Sequence, residues 1–300
     1  MDSREKILHK CNLDGKGLEV GPSYNPIVPK RDGYDVETID HLDKKGLQEK
    51  YAGKDVDLSN IEEVDYVWSG ELYTDLTGKK NYYDYIIASH VIEHTNDLVG
   101  FLKDCSNLLK ENGILSLVVP DKRFSFDYLR PVTGISRVIE RHLSSSPVHS
   151  PGTVYEHVVS VCVDLKPEFN IQEAVRVYNE SLESEEYFDA HNWIFTQNSF
   201  ELIIYDLNCL GLIDLKVAAS FETSGHEFYV SLEKRSDSFI ADDKERLDIA
   251  LRAQNDNELI LRKRNDDLEQ KISEIYNSKT WKTGEKIQKL YRMFVPGKSR

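Results

Sequence analysis

Residues 84–94 read DYIIASHVIEH, and this stretch indicates which fold the chain adopts. Its segment 85–88 is continuously apolar, which is typical of a central strand in a parallel sheet covered on both faces. Parallel strands are joined by crossover connections, usually helices, so we expect an α/β fold.

Predicted strands and helices alternate along the rest of residues 1–235. Residues 95–97, Thr-Asn-Asp, can cap a helix whose apolar positions recur at helical spacing and which Gly113 can end. Residues 198–201 resemble a capping box that opens a second helix, ending near Gly211. Runs typical of strands lie at 17–21, 36–40, 65–68, 114–119, 212–218 and 227–232. The last two are joined by a short Ser- and Gly-containing connection, so they predict an antiparallel pair at the end of a parallel sheet.

The composition excludes several classes of protein. Apolar residues make up 40% of the 300 residues and aromatic residues 10%, which suffices for a folded core and argues against disorder. Acidic residues outnumber basic ones by 52 to 38, a net charge of −14 that argues against a nucleic-acid binder. The longest apolar run, 114–119, is far too short to span a bilayer. The cysteines are scattered and the N-terminus has no hydrophobic signal segment, so we expect a cytoplasmic protein.

The charge is unevenly distributed along the chain. Residues 277–300 contain seven basic residues and one acid, so their net charge is +6 and residues 1–276 carry −20. This change predicts a globular domain over 1–235, a long polar helix over 240–276 and a basic aromatic tail over 277–300.

Three features together resemble the class I S-adenosylmethionine (SAM)-dependent methyltransferases, over roughly residues 15–235. Residues 18–26, LEVGPSYNP, resemble the first motif of that family, Asp40 matches the acid that ends its second strand, and residues 84–94 resemble the segment along the methionine end of the cofactor. The resemblance implies a Rossmann-like sheet, SAM as methyl donor and S-adenosylhomocysteine (SAH) as product. The cofactor-binding residues that it implies are Glu19, Gly21, Pro22, Ser23, Asp40, His41, Gly70, Glu71, Ser89 and His90.

The chemistry of these residues agrees with a cofactor site. Gly21 directly follows the first predicted strand, where a glycine lets the backbone approach a ligand closely. Asp40 lies 19 positions later, and a carboxylate there can accept hydrogen bonds from ribose hydroxyls. Glu19 is expected either to organise loop amides or to meet the cofactor ammonium. Ser23 and Tyr24 stand where a dinucleotide fingerprint has further glycines, so a pyrophosphate fits this loop poorly.

Three shorter strings resemble methyltransferases of bacterial surface-polysaccharide biosynthesis. They are PDKRF at 120–124, DYLRP at 127–131 and DAHNWIFT at 189–196. This resemblance implies O-methylation of a sugar in a surface glycan, such as O-antigen or capsule, or in its lipid-linked precursor. Two alternatives stay open: methylation of a small phosphorylated or carboxylated metabolite, and a non-catalytic scaffold in a glycan-assembly complex.

The connection that follows the strand at 114–119 is too long for a simple crossover. We therefore expect residues 121–197 to form an insertion that binds the acceptor. Arginine and histidine side chains in it can pair with carboxylates or phosphates, and a tryptophan can stack on a sugar. The side chains predicted to contact the acceptor are Arg123, Arg130 and Trp193.

A general base is needed to remove the proton of an acceptor hydroxyl. Histidine suits this role because its ordinary pKa lies near neutral pH. We expect His191 to be the base, with Asp189 or Asp121 as the carboxylate that orients it. His157 and His90 are the alternatives.

A divalent metal ion is an alternative way to activate the acceptor. The ligands predicted for it are His157, Asp189 and His191. His90 and His94 also lie at the spacing of a helical metal-binding pair. However, Glu93 directly precedes His94, whereas zinc proteases place two residues between them, so no metal is expected there.

The C-terminal segments are predicted to mediate association. Residues 240–276 contain heptad positions, with a polar Asn265 among them, that favour a short coiled coil and homo-oligomers over a solvated single helix. Residues 277–300 are basic and amphipathic, which suits the anionic inner face of a membrane or an acidic partner in an assembly complex. The alternative for this tail is a helix docked on the acidic body.

Overall fold

A mixed sheet of seven strands organises residues 1–253, and residues 254–300 form a separate unit. The computed structural model describes residues 1–144, 146, 148–163, 166–167, 171–183 and 186–294. In chain order the helices and strands are α1 (Ser3–Ile7), β1 (Gly17–Val20), β2 (Val36–Asp40), α2 (Lys44–Tyr51), β3 (Tyr66–Val67), α3 (Tyr73–Thr77), β4 (Tyr83–Ser89), α4 (Leu98–Leu108), β5 (Leu109–Pro120), α5 (Ile135–Ser144), α6 (Pro151–Ser160), β6 (Cys162–Val163), β7 (Lys166–Pro167), α7 (Ile171–Glu183), α8 (Gln197–Cys209), β8 (Leu215–Ser224), β9 (Glu227–Lys234), α9 (Asp243–Asn277) and α10 (Lys279–Phe294).

The order of the strands across this sheet is β3-β2-β1-β4-β5-β9-β8. Strands β1 to β5 pair in parallel, whereas β9 lies antiparallel between β5 and β8. The strand order reverses at β1, which pairs with both β2 and β4, and ligands in open α/β sheets bind at such a point. The predicted fold is therefore confirmed: a Rossmann-like methyltransferase sheet with a C-terminal antiparallel pair, a helical insertion after the fifth strand and a helical arm.

Strand β4 is buried on both faces, as its continuous apolar run predicts. Ile86 and Ala88 pack in one hydrophobic cluster, and Tyr85 and Ile87 pack in the cluster on the other face. All four side chains are 0% exposed. Burial of each large apolar side chain stabilises the fold by about 1.5–3 kcal/mol, so β4 anchors the residues that follow it.

The prediction that Gly113 ends a helix is wrong. The helix α4 is capped by Asp97, whose side chain accepts the N–H of Gly100, and it ends at Leu108. Gly113 lies within β5, where the pairing with β4 is irregular. A Cβ atom at this position would lie 2.8 Å from the carbonyl oxygen of Lys110. The glycine is therefore needed for a close backbone contact in a bulge.

The capping box of the second predicted helix lies two residues earlier than expected. Thr196 caps α8, because its side chain accepts the N–H of Ser199 while its own N–H donates to Ser199 Oγ at 2.8 Å. Thr196 is fully buried, so this cap satisfies backbone donors that water does not reach. The helix ends just before Gly211, where the backbone has a φ of +65°.

The two ends of the insertion meet beside the sheet. Asp121 forms a parallel bridge with Phe195, and the N–H of Lys122 donates to the carbonyl oxygen of Phe195 at 2.9 Å. Further along, the N–H of Thr133 donates to the carbonyl oxygen of Ile194 at 2.8 Å. The segments that open and close the insertion therefore lie side by side where β5 ends.

Helices α9 and α10 make up the C-terminal arm. Leu268, Ile272 and Ile275 are exposed. Among the residues that the structure describes, no helix combines the length and the apolar character needed to cross a membrane. The predicted coiled coil, the membrane contact of the tail and the domain boundaries stay predictions. Residues 295–300 of the predicted tail lie outside the described residues.

Candidate active site

A buried carboxylate organises the loop after β1. Gly21 turns the chain with a φ of +67°, a conformation that glycine adopts without strain. Glu19 accepts the N–H groups of Ile27 at 2.7 Å and Val28 at 3.1 Å. Burial raises the pKa of Glu19 to about 7, although the two N–H donors oppose the rise. Of the two roles expected for Glu19, its contacts match the organisation of loop amides.

Asp40 ties the end of β2 to the same loop. Its Oδ2 accepts the N–H of Ser23 at 2.9 Å, and its Oδ1 accepts the N–H of His41 at 2.8 Å. The ring atom Nδ1 of His41 lies 2.6 Å from Oδ1. The side chain of His41 is exposed whereas that of Asp40 is buried, so the imidazole occupies one acceptor position of this carboxylate.

Two further loops bring predicted cofactor residues to this edge of the sheet. After β3, Gly70 has a φ of +118°, and Glu71 accepts the N–H of Ser69 at 3.0 Å. At the end of β4, Ser89 is followed by His90, which has a φ of +54° and donates its N–H to the carbonyl oxygen of Val118. The predicted cofactor residues thus lie at or just after the carboxyl ends of β1, β2, β3 and β4.

These residues fit SAM. Ser23 Oγ is buried and makes no hydrogen bond with any residue that the structure describes, so the loop contains a polar atom for which a ligand can supply the partner. A carboxylate has about four lone-pair sites, so Asp40 can still accept ribose hydroxyls if His41 turns aside. SAM has no phosphates, and the loop does not need the further glycines of a dinucleotide site.

His191 and Asp127 form a buried pair in the insertion. Nδ1 of His191 lies 2.5 Å from Oδ2 of Asp127. Arg130 donates from Nη1 to Oδ1 of Asp127 at 3.1 Å and to the carbonyl oxygen of His191 at 2.7 Å. Burial opposes ionisation of Asp127, but the hydrogen bond from His191 and the charges of His191 and Arg130 outweigh it and lower the pKa of this carboxyl.

The carboxylates predicted to orient His191 lie against other side chains. Oδ2 of Asp121 lies 2.6 Å from Nη2 of Arg123 and accepts a hydrogen bond from Thr223 Oγ1 at 2.6 Å. Oδ1 of Asp189 lies 2.9 Å from Nδ1 of His94. The prediction that Asp121 or Asp189 orients His191 is therefore wrong, because the fold brings a different carboxylate, that of Asp127, to the ring.

The residues predicted to contact the acceptor are engaged within the protein. Trp193 and Arg130 are each 1% exposed, and Trp193 donates from Nε1 to Thr95 Oγ1 at 3.0 Å. Arg123 is paired with Asp121. In this conformation neither Trp193 nor Arg130 presents a surface on which an acceptor can lie, so these two predictions disagree with the structure.

His157 lies beside His191 but has a different environment. Its Nδ1 accepts the backbone N–H of His191 at 3.3 Å. Burial, and after it the positive charges of His191 and Arg130, lower the pKa of His157 to about 4, so this ring is neutral at neutral pH. The predicted metal ligands His157, Asp189 and His191 do not form one of the convergent ligand groups among the described residues.

Glu93 is, with Asp127, a site residue to which the sequence analysis assigned no role. It is 1% exposed, and its carbonyl oxygen accepts the N–H of Asn192 at 2.7 Å and that of Trp193 at 3.2 Å. These bonds hold the helical turn that follows β4 against the segment of His191. Ligand atoms of Glu93, His94 and His191 lie within 4.8 Å of one another. Nothing in the sequence signals this contact, because it joins segments nearly 100 positions apart.

The sheet topology and the residues at its edge define a class I methyltransferase. A family model described as a methyltransferase domain matches residues 1–203, more than half of the chain. The chain belongs to this family, and the family and the fold imply SAM as the cofactor. The match includes both the loop after β1 and the insertion.

Individual proteins to which the chain is similar share a modest sequence identity with it. The ubiquinone biosynthesis O-methyltransferase of Pelagibacter ubique is 31% identical over 139 residues, which are 46% of this chain and 53% of that protein. The chain therefore spans about half the length of this curated relative. A SAM-dependent methyltransferase from Aquifex aeolicus is 15% identical over 77% of this chain and 89% of its own, with a TM-score of 0.41. A protein from Pyrococcus horikoshii is 13% identical over 78% and 90%, also with a TM-score of 0.41.

Proposed function

We propose that this protein transfers the methyl group of SAM to a hydroxyl of a sugar in a bacterial surface glycan or its precursor. The observation that carries the proposal is the buried pair of His191 and Asp127 in the insertion beside the cofactor edge of the sheet. When bound, SAM supplies an electrophilic methyl group. The protein has to position a hydroxyl and drive the loss of its proton.

The geometry of His191 suits the removal of that proton. Asp127 holds Nδ1, which leaves Nε2 as the ring atom that can act on an acceptor. Arg130 in turn fixes Asp127 and the backbone of His191, so the imidazole is oriented before the acceptor arrives. Proton removal by an oriented side chain accelerates a reaction by about 10²–10⁴-fold.

The acceptor is proposed from two observations. Three strings, at 120–124, 127–131 and 189–196, resemble polysaccharide methyltransferases. The second supplies Asp127 and Arg130, which contact His191 of the third. Transfer to oxygen is also supported by the relative from Pelagibacter ubique, which is named an O-methyltransferase. That name refers to ubiquinone biosynthesis, so an intermediate of that kind is the second candidate acceptor.

Transfer of a radiolabelled methyl group from SAM to nucleotide sugars, lipid-linked sugars and ubiquinone-biosynthesis intermediates tests the proposal. We expect label in a sugar fraction that survives mild alkali, because a methyl ether is stable to base whereas a methyl ester is hydrolysed. Alkali-labile label would favour a carboxylated metabolite instead. Binding of SAH without transfer to any acceptor would favour a scaffold and overturn the proposal.

A further inference from the structure

We infer that Glu93, His94 and His191 bind one divalent metal ion, which contacts the acceptor hydroxyl. The position of the ion follows from the contacts of these three side chains. Its role toward the acceptor rests on the proposed function, with one change: Nε2 of His191 acts through the ion and does not itself accept the proton. The metal ligands predicted from the sequence are His157, Asp189 and His191, and of these only His191 belongs to the inferred site.

Glu93 is a buried carboxylate without a hydrogen bond. It is 1% exposed, and neither of its oxygens accepts a hydrogen bond from the residues that the structure describes. Nδ1 of His90 and Nε2 of His94 approach Oε1 only to 3.4 and 3.9 Å. Burial opposes the ionisation of Glu93, but the neighbouring imidazoles of His90, His94 and His191 outweigh it and lower the pKa of this carboxyl. The carboxylate is therefore charged, and its two oxygens are available to a cation.

The two histidines are oriented as metal ligands are. Nδ1 of His191 lies 2.5 Å from Asp127, and Nδ1 of His94 lies 2.9 Å from Asp189. A carboxylate on one ring nitrogen selects the tautomer in which the other nitrogen has a free lone pair, and metal-binding histidines usually have such a partner. Nε2 is therefore the available ligand atom of His191. Nδ1 of His94 makes no hydrogen bond with the described residues despite lying near Asp189, and Nε2 of His94 is the atom that approaches Glu93.

The distances and the donor types suit a transition metal. The three ligand atoms lie within 4.8 Å of one another. Ligand atoms that are each about 2.0–2.2 Å from one ion are at most about 4.4 Å apart, so small side-chain movements close the site. Two imidazoles and one carboxylate form the donor set of catalytic zinc and of non-haem iron(II) sites, and they leave coordination positions open.

A cation in this place explains how an acceptor hydroxyl loses its proton near His191. Divalent metals lower the pKa of a coordinated O–H group by several units, so the proton can leave to solvent. The oxygen then forms a bond to the methyl carbon as the carbon–sulfur bond of SAM breaks. The sulfur keeps the electron pair and SAH is the product.

A second group of potential ligands provides a matched control. His90, His226 and Glu227 also converge, but His226 is exposed and Nε2 of His90 already lies 2.7 Å from Glu227. This group contains no unpaired buried carboxylate. Adventitious binding to surface histidines should therefore depend on His226 and not on Glu93.

Calorimetric titration of the full-length apo chain with Zn²⁺ tests the inference. We expect one ion per chain, and we expect Asp127→Asn to weaken binding by about 10–100-fold, as loss of a carboxylate behind a histidine ligand does. Glu93→Gln should weaken it further, and His226→Ala should leave it unchanged. A wild-type chain that binds no Zn²⁺, or binding that is lost in His226→Ala and kept in Glu93→Gln, would overturn the inference.

Thermal unfolding of each apo variant separates lost binding from lost structure, and His94→Gln replaces Glu93→Gln if that variant does not fold. The outcome is independent of the proposed function, because ion binding is measured without an acceptor. The chain can also be dialysed against a chelator until it contains no ion. If it still methylates sugars, the inferred role of the metal ion is wrong while the proposed function is supported. That result would also assign His191 as the general base.

Discussion

The cofactor side and the acceptor side of the site are built in different ways. On the cofactor side, buried carboxylates accept nearby backbone N–H groups, as Glu19 does from residues eight and nine positions later. On the acceptor side, buried side chains pair with one another across the chain, as Asp127 does with His191 over 64 positions. A carboxylate that binds local backbone is recognised from a motif, whereas a distant pair is not.

The same difference predicts which property each side controls. Backbone contacts shape the loop that binds the cofactor, so changes there should alter loop stability and SAM affinity. Side-chain pairs orient the groups that act on the acceptor, so changes there should alter turnover.

The largest effect is expected for His191→Ala on the acceptor side. Turnover should fall by about 10²–10⁴-fold, because the group that drives proton loss is removed, while SAM affinity barely changes. Steady-state rates with the methylated acceptor and calorimetry with SAH measure the two quantities. Near-normal turnover would show that side-chain pairs on the acceptor side do not control turnover. The base would then have to be His157 or His90.

A smaller effect is expected from Glu19 on the cofactor side, and it depends on pH. Burial raises the pKa of this carboxyl from 4.5 to about 7, so the folded state binds the proton more tightly than the unfolded state does. The stability that this group contributes is complete below pH 4.5 and is lost as pH rises through 7, a change of about 3 kcal/mol.

Urea unfolding of the wild type and of Glu19→Gln between pH 4.5 and 8 measures this contribution. As pH rises, the free energy of unfolding of the wild type should fall by about 3 kcal/mol relative to that of Glu19→Gln. Other titrating groups are the same in both proteins, so their contributions cancel in the difference. A difference that does not vary with pH would mean that the N–H groups of Ile27 and Val28 keep the carboxylate ionised throughout.

The smallest effect is expected for Asp40→Ala, also on the cofactor side. Loss of its hydrogen bonds to the ribose should cost about 1.5–3 kcal/mol, or roughly 10- to 150-fold in SAM affinity. Asp43→Ala is the matched control, because Asp43 is an exposed cap of α2 whose side chain accepts the N–H of Gly46. Calorimetry with SAM checks both variants. Equal affinities in the two variants would show that Asp40 serves the loop and not the cofactor.

Much of the fold could be predicted because its signals are local. The apolar runs at 17–21 and 36–40 correspond to β1 and β2, since a strand buried on both faces needs apolar residues at successive positions. The failures are also informative. Gly113 satisfies the local rule for the end of a helix, but it lies in a bulge of β5. The predicted capping box at 198–201 satisfies the rule for the start of a helix, but Thr196 caps α8.

The sequence alone determined the α/β class, the glycine turn after β1 and the position of Asp40, because each depends on residues close together in the chain. Only the tertiary structure decided that Asp127 holds His191, that Asp121 pairs with Arg123 and that Glu93 faces the histidines. The physical reason is desolvation. A buried polar group must pair with whatever complementary group the fold places within hydrogen-bond distance, and that choice is made by packing between distant segments.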